Sequence, residues 1–424
     1  MAPISHINTS GFLLAISAIR HPISAMTETT IPPHYSPTDP TVLADPHAAY
    51  ADLRARCPVH RHDGLDNPLY TLSNYDDIVG VLTDTATWSN RQGPGITKST
   101  SVGDVQRDDP PEHTHRRQFL RDPFLPSAVQ RTAPQIRELA EEIADNLAHD
   151  GNTCELHGDF ALSLPVASFC ALLGIHIDDR EKFSNWADEM VAGMTYPERG
   201  AEGHRGINAF ARQEITHRRE LKAAGKELPD GFLSYVATAS YNADGAPMDL
   251  KEACNTVSQF LVAGHETTTS LITNLMWRLL EDPSRWERVV ADPSLIENAV
   301  EESLRFDPPV LGLCRTNNVA VTVSSIRIPE DSKVMVLYAS PNRDASLFSN
   351  PDEFLLDRPL QDTKRHLSFS WGIHYCLGAG LARLTARIAI ETLVRNFPTM
   401  RLAGATERIE APFLWGRKTL PVGW

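Results

Sequence analysis

The sequence predicts a mainly α-helical fold with minor β sheets, and three observations carry that prediction. Apolar residues recur at helical spacing through 134–149, PQIRELAEEIADNLAH. The segment 249–280, DLKEACNTVSQFLVAGHETTTSLITNLMWRLL, keeps helical character over roughly 45 Å at 1.5 Å per residue. It carries few charges and is apolar on most sides, as a helix through the centre of a large domain would be. Strand-like stretches are few: 68–72 (PLYTL), 319–327 (VAVTVSSIR) and 333–338 (KVMVLY). No internal repeat or long linker divides the chain.

Composition narrows the class. A chain of 424 residues, 42% hydrophobic and 22% charged, can bury a large core. A net charge of −14 argues against nucleic acid, because phosphate binding needs a basic surface. The apolar run 11–19, GFLLAISAI, is shorter than a membrane span and lacks a cationic flank, so no membrane is expected. Met26 reads as a more natural start. Residues 1–26 are therefore expected to be a disordered extension ahead of a single domain at 27–424. The six cysteines are scattered without a C-x-x-C pair, which suits a reducing cytoplasm rather than a disulfide framework.

Four short stretches stand out, in chain order. In DPPEHTHRR (109–117), Asp109 reads as an N-cap with Pro110 and Pro111 in the first turn; His113 and Arg117 then share a helix face. In AGHETT (263–268), small Ala263 and Gly264 leave room for a ligand beside the long helix. Thr267 can bond the carbonyl four residues back and loosen the helix there, and Glu266 beside it makes an acid–alcohol pair able to relay protons. In EESLR (301–305), Glu302 and Arg305 lie three apart and can pair.

The fourth stretch is FSWGIHYCLG (369–378). Alone, Cys376 reads as a small buried hydrophobe. The residues after it, LGAGLARLTARIAIETLVRNF, form a helix that ends before Pro398, so Cys376 sits at a helix N-terminus, where free N–H groups lower a thiol pKa. Gly372 and Gly378 let the backbone turn tightly beside a flat ligand. His374 can reach an anionic group at that ligand's edge, and Phe369 can shield the sulfur.

The spacing F-x-x-G-x-H-x-C-x-G resembles the haem-binding loop of the cytochrome P-450 family, and the other three stretches resemble that family's motifs in the same order. The resemblance covers essentially residues 40–424. It implies one large fold with haem b between the central helix and the cysteine helix, and Cys376 as the axial ligand of the iron. It implies that His113, Arg117, Arg315 (in GLCRTNN) and His374 grip the haem propionates. It also implies that Thr267 and Glu266 handle oxygen and protons beside Ala263 and Gly264. Glu302 and Arg305 would lock onto Arg358 of FLLDRP, in a folding role. Ser370 departs from the glycine usual after the phenylalanine, Pro341 of PNRD replaces the usual alanine, and IPEDSK (328–333) lacks the usual turn glycine.

The implied activity is a monooxygenase that inserts one atom of O2 into a substrate C–H bond. Electrons would come from NAD(P)H through separate partners, a ferredoxin or flavodoxin with its reductase, docking near Arg116, Arg121, Arg383 and Arg387. The enzyme is expected to be a cytoplasmic monomer. Gln259, Val262, Ala263, Leu311, Leu313, the 91–103 loop and Phe413, Leu414 and Trp415 form the expected pocket. Its lining suits a small, mostly apolar substrate, terpenoid, aromatic or alicyclic, with a polar handle. The glycine-bearing segment 190–212 is a candidate for a moving connection. Two readings of other classes are a haem-thiolate sensor, which needs no proton relay, and a haem-free enzyme using Cys376 as nucleophile or in a metal site.

Overall fold

Asp249 starts the central helix, Leu250–Leu280, by accepting the N–H groups of Lys251 and Glu252. Buried residues cover most of its length, and helices Ala201–Ala223, Ser163–Leu173 and Ala379–Asn396 pack around it. The last of these, the cysteine helix, also lies against helix Ala133–Asp150, which presents Ile136, Leu139, Ala140 and Ala144 to the core. This structure is a computed structural model that describes residues 35–65, 67–99, 104–174, 185–186, 189–190, 200–409 and 411–424. The expected extension at 1–26, positions 100–103 of the 91–103 loop and most of 190–199 lie outside the described residues.

Sheets fill one side. The strands β1 (Val59–His62), β2 (Leu69–Leu72), β3 (Trp88–Ser89), β5 (Leu313–Asn317) and β8 (Lys333–Val336) form one sheet in the order β1-β2-β8-β5-β3. Here β2 and β8 are parallel, and β8 pairs antiparallel with β5 so that Leu313 faces Val336. Gly312, just before β5, is required by close approach: a Cβ there would lie 2.5 Å from the Val336 carbonyl oxygen. The remaining strands make small ribbons, β4 (Thr153–Glu155) with β12 (Pro421–Gly423) and β9 (Arg401–Leu402), and β10 (Glu407–Arg408) with β11 (Arg417–Thr419).

Two local expectations change. The stretch 319–327 is a hairpin of β6 (Val321–Val323) and β7 (Ile326–Ile328), turning through Ser324 and Ser325 at φ 43° and 69°. Two serines in the left-handed region are not a usual turn signal, so the sequence reads as one strand. Asp109 does not cap helix Glu112–Leu120 with its side chain. Its carboxylate accepts instead from the Ser89 hydroxyl (2.6 Å) and the Asn90 N–H (2.9 Å), joining the helix start to β3. No described helix is long and apolar enough to cross a membrane.

Candidate active site

The cysteine loop is shaped by two residues in the left-handed region. Gly372 has φ 70°, and a Cβ there would meet the Leu82 carbonyl oxygen at 2.3 Å, so only glycine fits. Ser370 has φ 63° and donates from its hydroxyl to the Tyr338 hydroxyl at 3.3 Å. The loop then closes with the Cys376 N–H on the Phe369 carbonyl (2.9 Å), and the cysteine helix begins at Ala379 after Gly378. A Cβ on Gly378 would have the Cys376 sulfur, 3.9 Å away, as its nearest neighbour.

Cys376 is exposed as a residue, yet the surrounding protein still desolvates its sulfur. That desolvation pushes the thiol pKa up. The Gly378 and Ala379 N–H groups and the Arg117 and Arg383 charges pull it down, but less strongly. The expected lowering at the helix start is therefore present as a contribution and overruled as a result. Phe369 is half-buried and carries the Arg383 guanidinium 4.5 Å from its ring centre.

Helix Glu112–Leu120, β5 and the cysteine loop bring four further groups together. His113 is buried, with neither ring nitrogen partnered, and its ring lies 4.3 Å from that of His374. Desolvation and then Arg117 push His113 down to about 4. Desolvation, then Arg315, His113 and Arg117, push His374 down to about 2. Arg117 donates to the Tyr375 carbonyl at 2.6 Å. Arg315 is buried and reaches only neutral oxygens, the Cys314 carbonyl (3.0 Å) and the Tyr338 hydroxyl (3.4 Å). Among the described residues no carboxylate pairs with either arginine. Donors gathered without an acid fit an anionic ligand with carboxylates of its own. The residues thus fit a haem held through its propionates.

The middle of the central helix opens on one stripe. Ala263 is exposed and Gln259, Val262, Gly264 and Thr267 are half-buried, within a helix otherwise largely enclosed. The Thr267 hydroxyl donates to the Ala263 carbonyl at 2.7 Å, while the helix stays α-helical throughout instead of opening a groove. Glu266 turns off the stripe: it is buried and accepts from the Ser270 hydroxyl at 3.0 Å. Gly264 faces helix Ser163–Leu173, where an added Cβ would lie 3.5 Å from the Phe169 ring, so its small size serves packing there. The Gln259 Oε1 atom is buried and has no hydrogen-bond partner among the described residues.

Four expected pocket residues are packed away. Leu311 and Phe413 share a core cluster with Met335 and Leu337, and the Leu311 N–H donates to the Phe413 carbonyl at 2.8 Å. Leu414 is buried and bridges Val310. Trp415 is buried as well and donates to Asp307 at 2.9 Å. Leu313 stays half-buried, against a different cluster.

Glu302, Arg305 and Arg358 are all buried and meet. Glu302 accepts from Arg305 at 2.7 and 2.8 Å, from Arg358 at 3.0 Å and from the Leu355 N–H at 2.9 Å. Both guanidinium groups are completed by carbonyls, those of Asn342, Pro351 and Glu353 for Arg305 and Ser349 and Asn350 for Arg358.

The docking arginines do not form one basic face. Arg116 is buried against Asp108 and Glu252, both at 2.5 Å, and Arg383 is held by Glu301. Arg387 pairs with Glu391 at 3.6 Å, and Arg121, largely exposed, lies 3.7 Å from Asp122. Sequence reasoning missed Tyr338, whose hydroxyl joins Arg315 to Ser370; a tyrosine in an apolar strand carries no signal for that role.

The candidate site is thus a cysteine at a helix start together with the His113–His374 pair and two arginines, Arg117 and Arg315, that meet no carboxylate among the described residues. Residues 196–408 match the family model described as Cytochrome P450. The chain is 32% identical over 401 residues to the vitamin D(3) 25-hydroxylase of Pseudonocardia autotrophica, covering 90% of this chain and 94% of that one. It is 32% identical to the cytochrome P450 monooxygenase PikC of Streptomyces venezuelae, covering 90% and 91%. The structure of PksS, the cytochrome P450 of the Bacillus subtilis 168 bacillaene polyketide synthase, superposes with a TM-score of 0.81 at 27% identity, covering 92% of this chain and 99% of that one. The chain belongs to the cytochrome P450 family. It is a haem-dependent monooxygenase that hydroxylates small organic substrates with O2 and electrons from redox partners.

Proposed function

We propose that Cys376 would supply the thiolate ligand of a haem b, and that His113, Arg117, Arg315 and His374 would hold its propionates. The observation that carries this reading is a set of buried and half-buried donors that meet no carboxylate among the described residues, on the loop and helices beside an exposed cysteine. When bound, the haem supplies O2 activation, and its thiolate ligand favours heterolysis of the O–O bond.

The chain's own residues do the rest. Arg117 and Arg315 neutralise the propionates, and burial keeps His374 a neutral hydrogen-bonding partner for them. Phe369 keeps water from the sulfur. The Thr267 hydroxyl, now on the Ala263 carbonyl, faces the open stripe and can pass a proton into it. Glu266, linked to Ser270, is the acid next in line.

Val262, Ala263 and Leu313 give the pocket an apolar lining, which supports a small, mostly apolar substrate. The unpartnered Gln259 carbonyl accepts, so the substrate's polar handle donates: a hydroxyl or an N–H. That the relatives include a vitamin D(3) 25-hydroxylase supports the same class. Electrons arrive from NAD(P)H through a reductase and a ferredoxin or flavodoxin, and the enzyme works as a cytoplasmic monomer.

The test is the absorption spectrum of the dithionite-reduced protein with and without carbon monoxide. A Soret band at the long-wavelength position of thiolate-ligated haem is expected, and its loss in Cys376→Ala. A band at the position of histidine-ligated haem in fresh protein overturns the assignment of Cys376. Oxygen consumption that depends on NAD(P)H and partners separates the monooxygenase from a sensor. Unchanged substrate affinity in Gln259→Leu removes the anchor.

A further inference from the structure

Among the described residues, a buried cation outside the donor set, Lys333, meets no acid. Lys333 opens β8, is buried, and donates from Nζ to two backbone carbonyls, Gln92 (2.9 Å) and Gly93 (2.5 Å). Both belong to the loop after β3. The same loop gives its Pro94 carbonyl to the Cys314 N–H at 2.7 Å, next to Arg315, and lays Ile96 against the cluster of Leu311, Cys314 and Phe413. Its outer edge is clipped by Asp331, which accepts from Gln92 (2.7 Å) and from Lys98 (2.6 Å).

We propose that Lys333 is the seat of the 92–99 loop and, on the reading that this loop borders the substrate pocket, the residue that sets access to it. An ammonium donates to two carbonyls that would otherwise be left in the core without donors. Asp331 on the neighbouring turn is occupied by Lys98 and Gln92, so the loop carbonyls are what balances the buried charge. Lys333 is a positioning residue, not one that touches the reacting atoms.

The seat responds to pH. The groups facing Lys333 are Cys314 and Arg315 on β5 and Lys98 and Arg107 on the loop side; Arg107 in turn pairs with Asp104. Desolvation, opposed by Cys314 and reinforced by the three cations, lowers Lys333 from 10.5 to about 8. A loop that lifts away returns the ammonium to water and to its ordinary pKa. The docked form therefore binds the proton more weakly, and docking strengthens as pH rises through 8. Between pH 7 and pH 9 the lifted population should fall by about tenfold.

The experiment is hydrogen exchange of the holoenzyme, read at the Cys314 amide as a protection factor corrected for intrinsic rates at pH 7 and 9. Alongside it, stopped-flow binding of 4-phenylimidazole reports access to the haem. Wild type is expected to show the tenfold fall in opening and slower association at pH 9. Lys333→Met is expected to open more often at pH 7 and to lose the pH dependence, while Lys333→Arg keeps protection at pH 7. Equal opening at both pH values in wild type overturns the proposal, and this arm stands even if Lys333→Met does not fold. Changed exchange with an unchanged association rate also overturns it, since the loop would be seated without gating. A missing thiolate Soret band would instead mark failure of the haem assignment, a different result.

Discussion

Two groups of arginines, with Arg305, Arg358 and Arg315 buried and Arg117 half-buried, differ in one respect. Arg305 and Arg358 share Glu302 and spend their remaining donors on carbonyls. Arg117 and Arg315 meet His113 and His374 with no acid in the group. The first group is closed by the chain itself and works as a fastener. The second is left without an acid, and on the reading proposed above the haem propionates supply it. Such a group is therefore informative through its partners: cations that share a carboxylate report folding, and several gathered donors without one point to an anionic ligand.

Substitutions should break this contrast in opposite directions. The largest effect is expected for Glu302→Ala, which leaves two buried guanidinium groups without a counter-charge and should cost about 3–5 kcal/mol of folding stability. Denaturant unfolding measures this, and a loss below about 1 kcal/mol would mean that the carbonyls alone suffice. Arg315→Leu should leave the unfolding of the cofactor-free protein unchanged or slightly improved. Losing one charge-assisted bond of about 1.5–3 kcal/mol should speed haem release roughly 10- to 100-fold. Haem transfer to a scavenger protein reads that rate. If the cofactor-free variant unfolds as readily as Glu302→Ala, the two groups are not different in kind.

A second closed group sharpens the point with pH. Asp307 is fully buried among Arg278, Arg343 and His47. Desolvation opposes its ionisation, but Arg278 and then Arg343 and His47 prevail and hold it at about 2 instead of 3.8. Its folded pKa is the lower one, so its stabilisation is present above about pH 4 and is lost as pH falls toward 2. About 2 kcal/mol should disappear across that window, and Asp307→Asn should flatten the slope.

The smallest effect belongs to Ser370, in the left-handed region where glycine is strain-free. Ser370→Gly should raise stability by about 0.5 kcal/mol, seen as a small upward shift in calorimetry. A loss of more than about 1 kcal/mol would show that the hydroxyl bond to Tyr338 outweighs the strain.

How much the sequence discloses depends on how far each signal reaches along the chain. The central and cysteine helices are periodic, the first also capped by Asp249, and both stand within a residue or two of where 249–280 and 377–397 place them. Strands such as β4 and β12 are three residues long and pair across most of the chain, so no local pattern marks them. Arg116 and Arg383 look like surface charge because Glu252 and Glu301 are distant in sequence and reach them only after folding. The Glu266–Ser270 bond is equally out of reach: adjacency to Thr267 says nothing of which side of the helix Ser270 draws the acid to. The glycine usual at 370 gains its physical reason from the φ of 63° found there.

The fit of Gly372 against the Leu82 carbonyl has a consequence for engineering. Helix Tyr75–Thr83 contributes no atom to the proposed chemistry, yet its last turn sets where the cysteine loop rests. The loop is therefore not an interchangeable cassette. Transplanting 369–378 from a relative would carry the ligand but not its floor, and the sulfur would settle wherever the new helix end allowed. Swaps that move 75–83 and 369–378 together should keep the sulfur's surroundings intact.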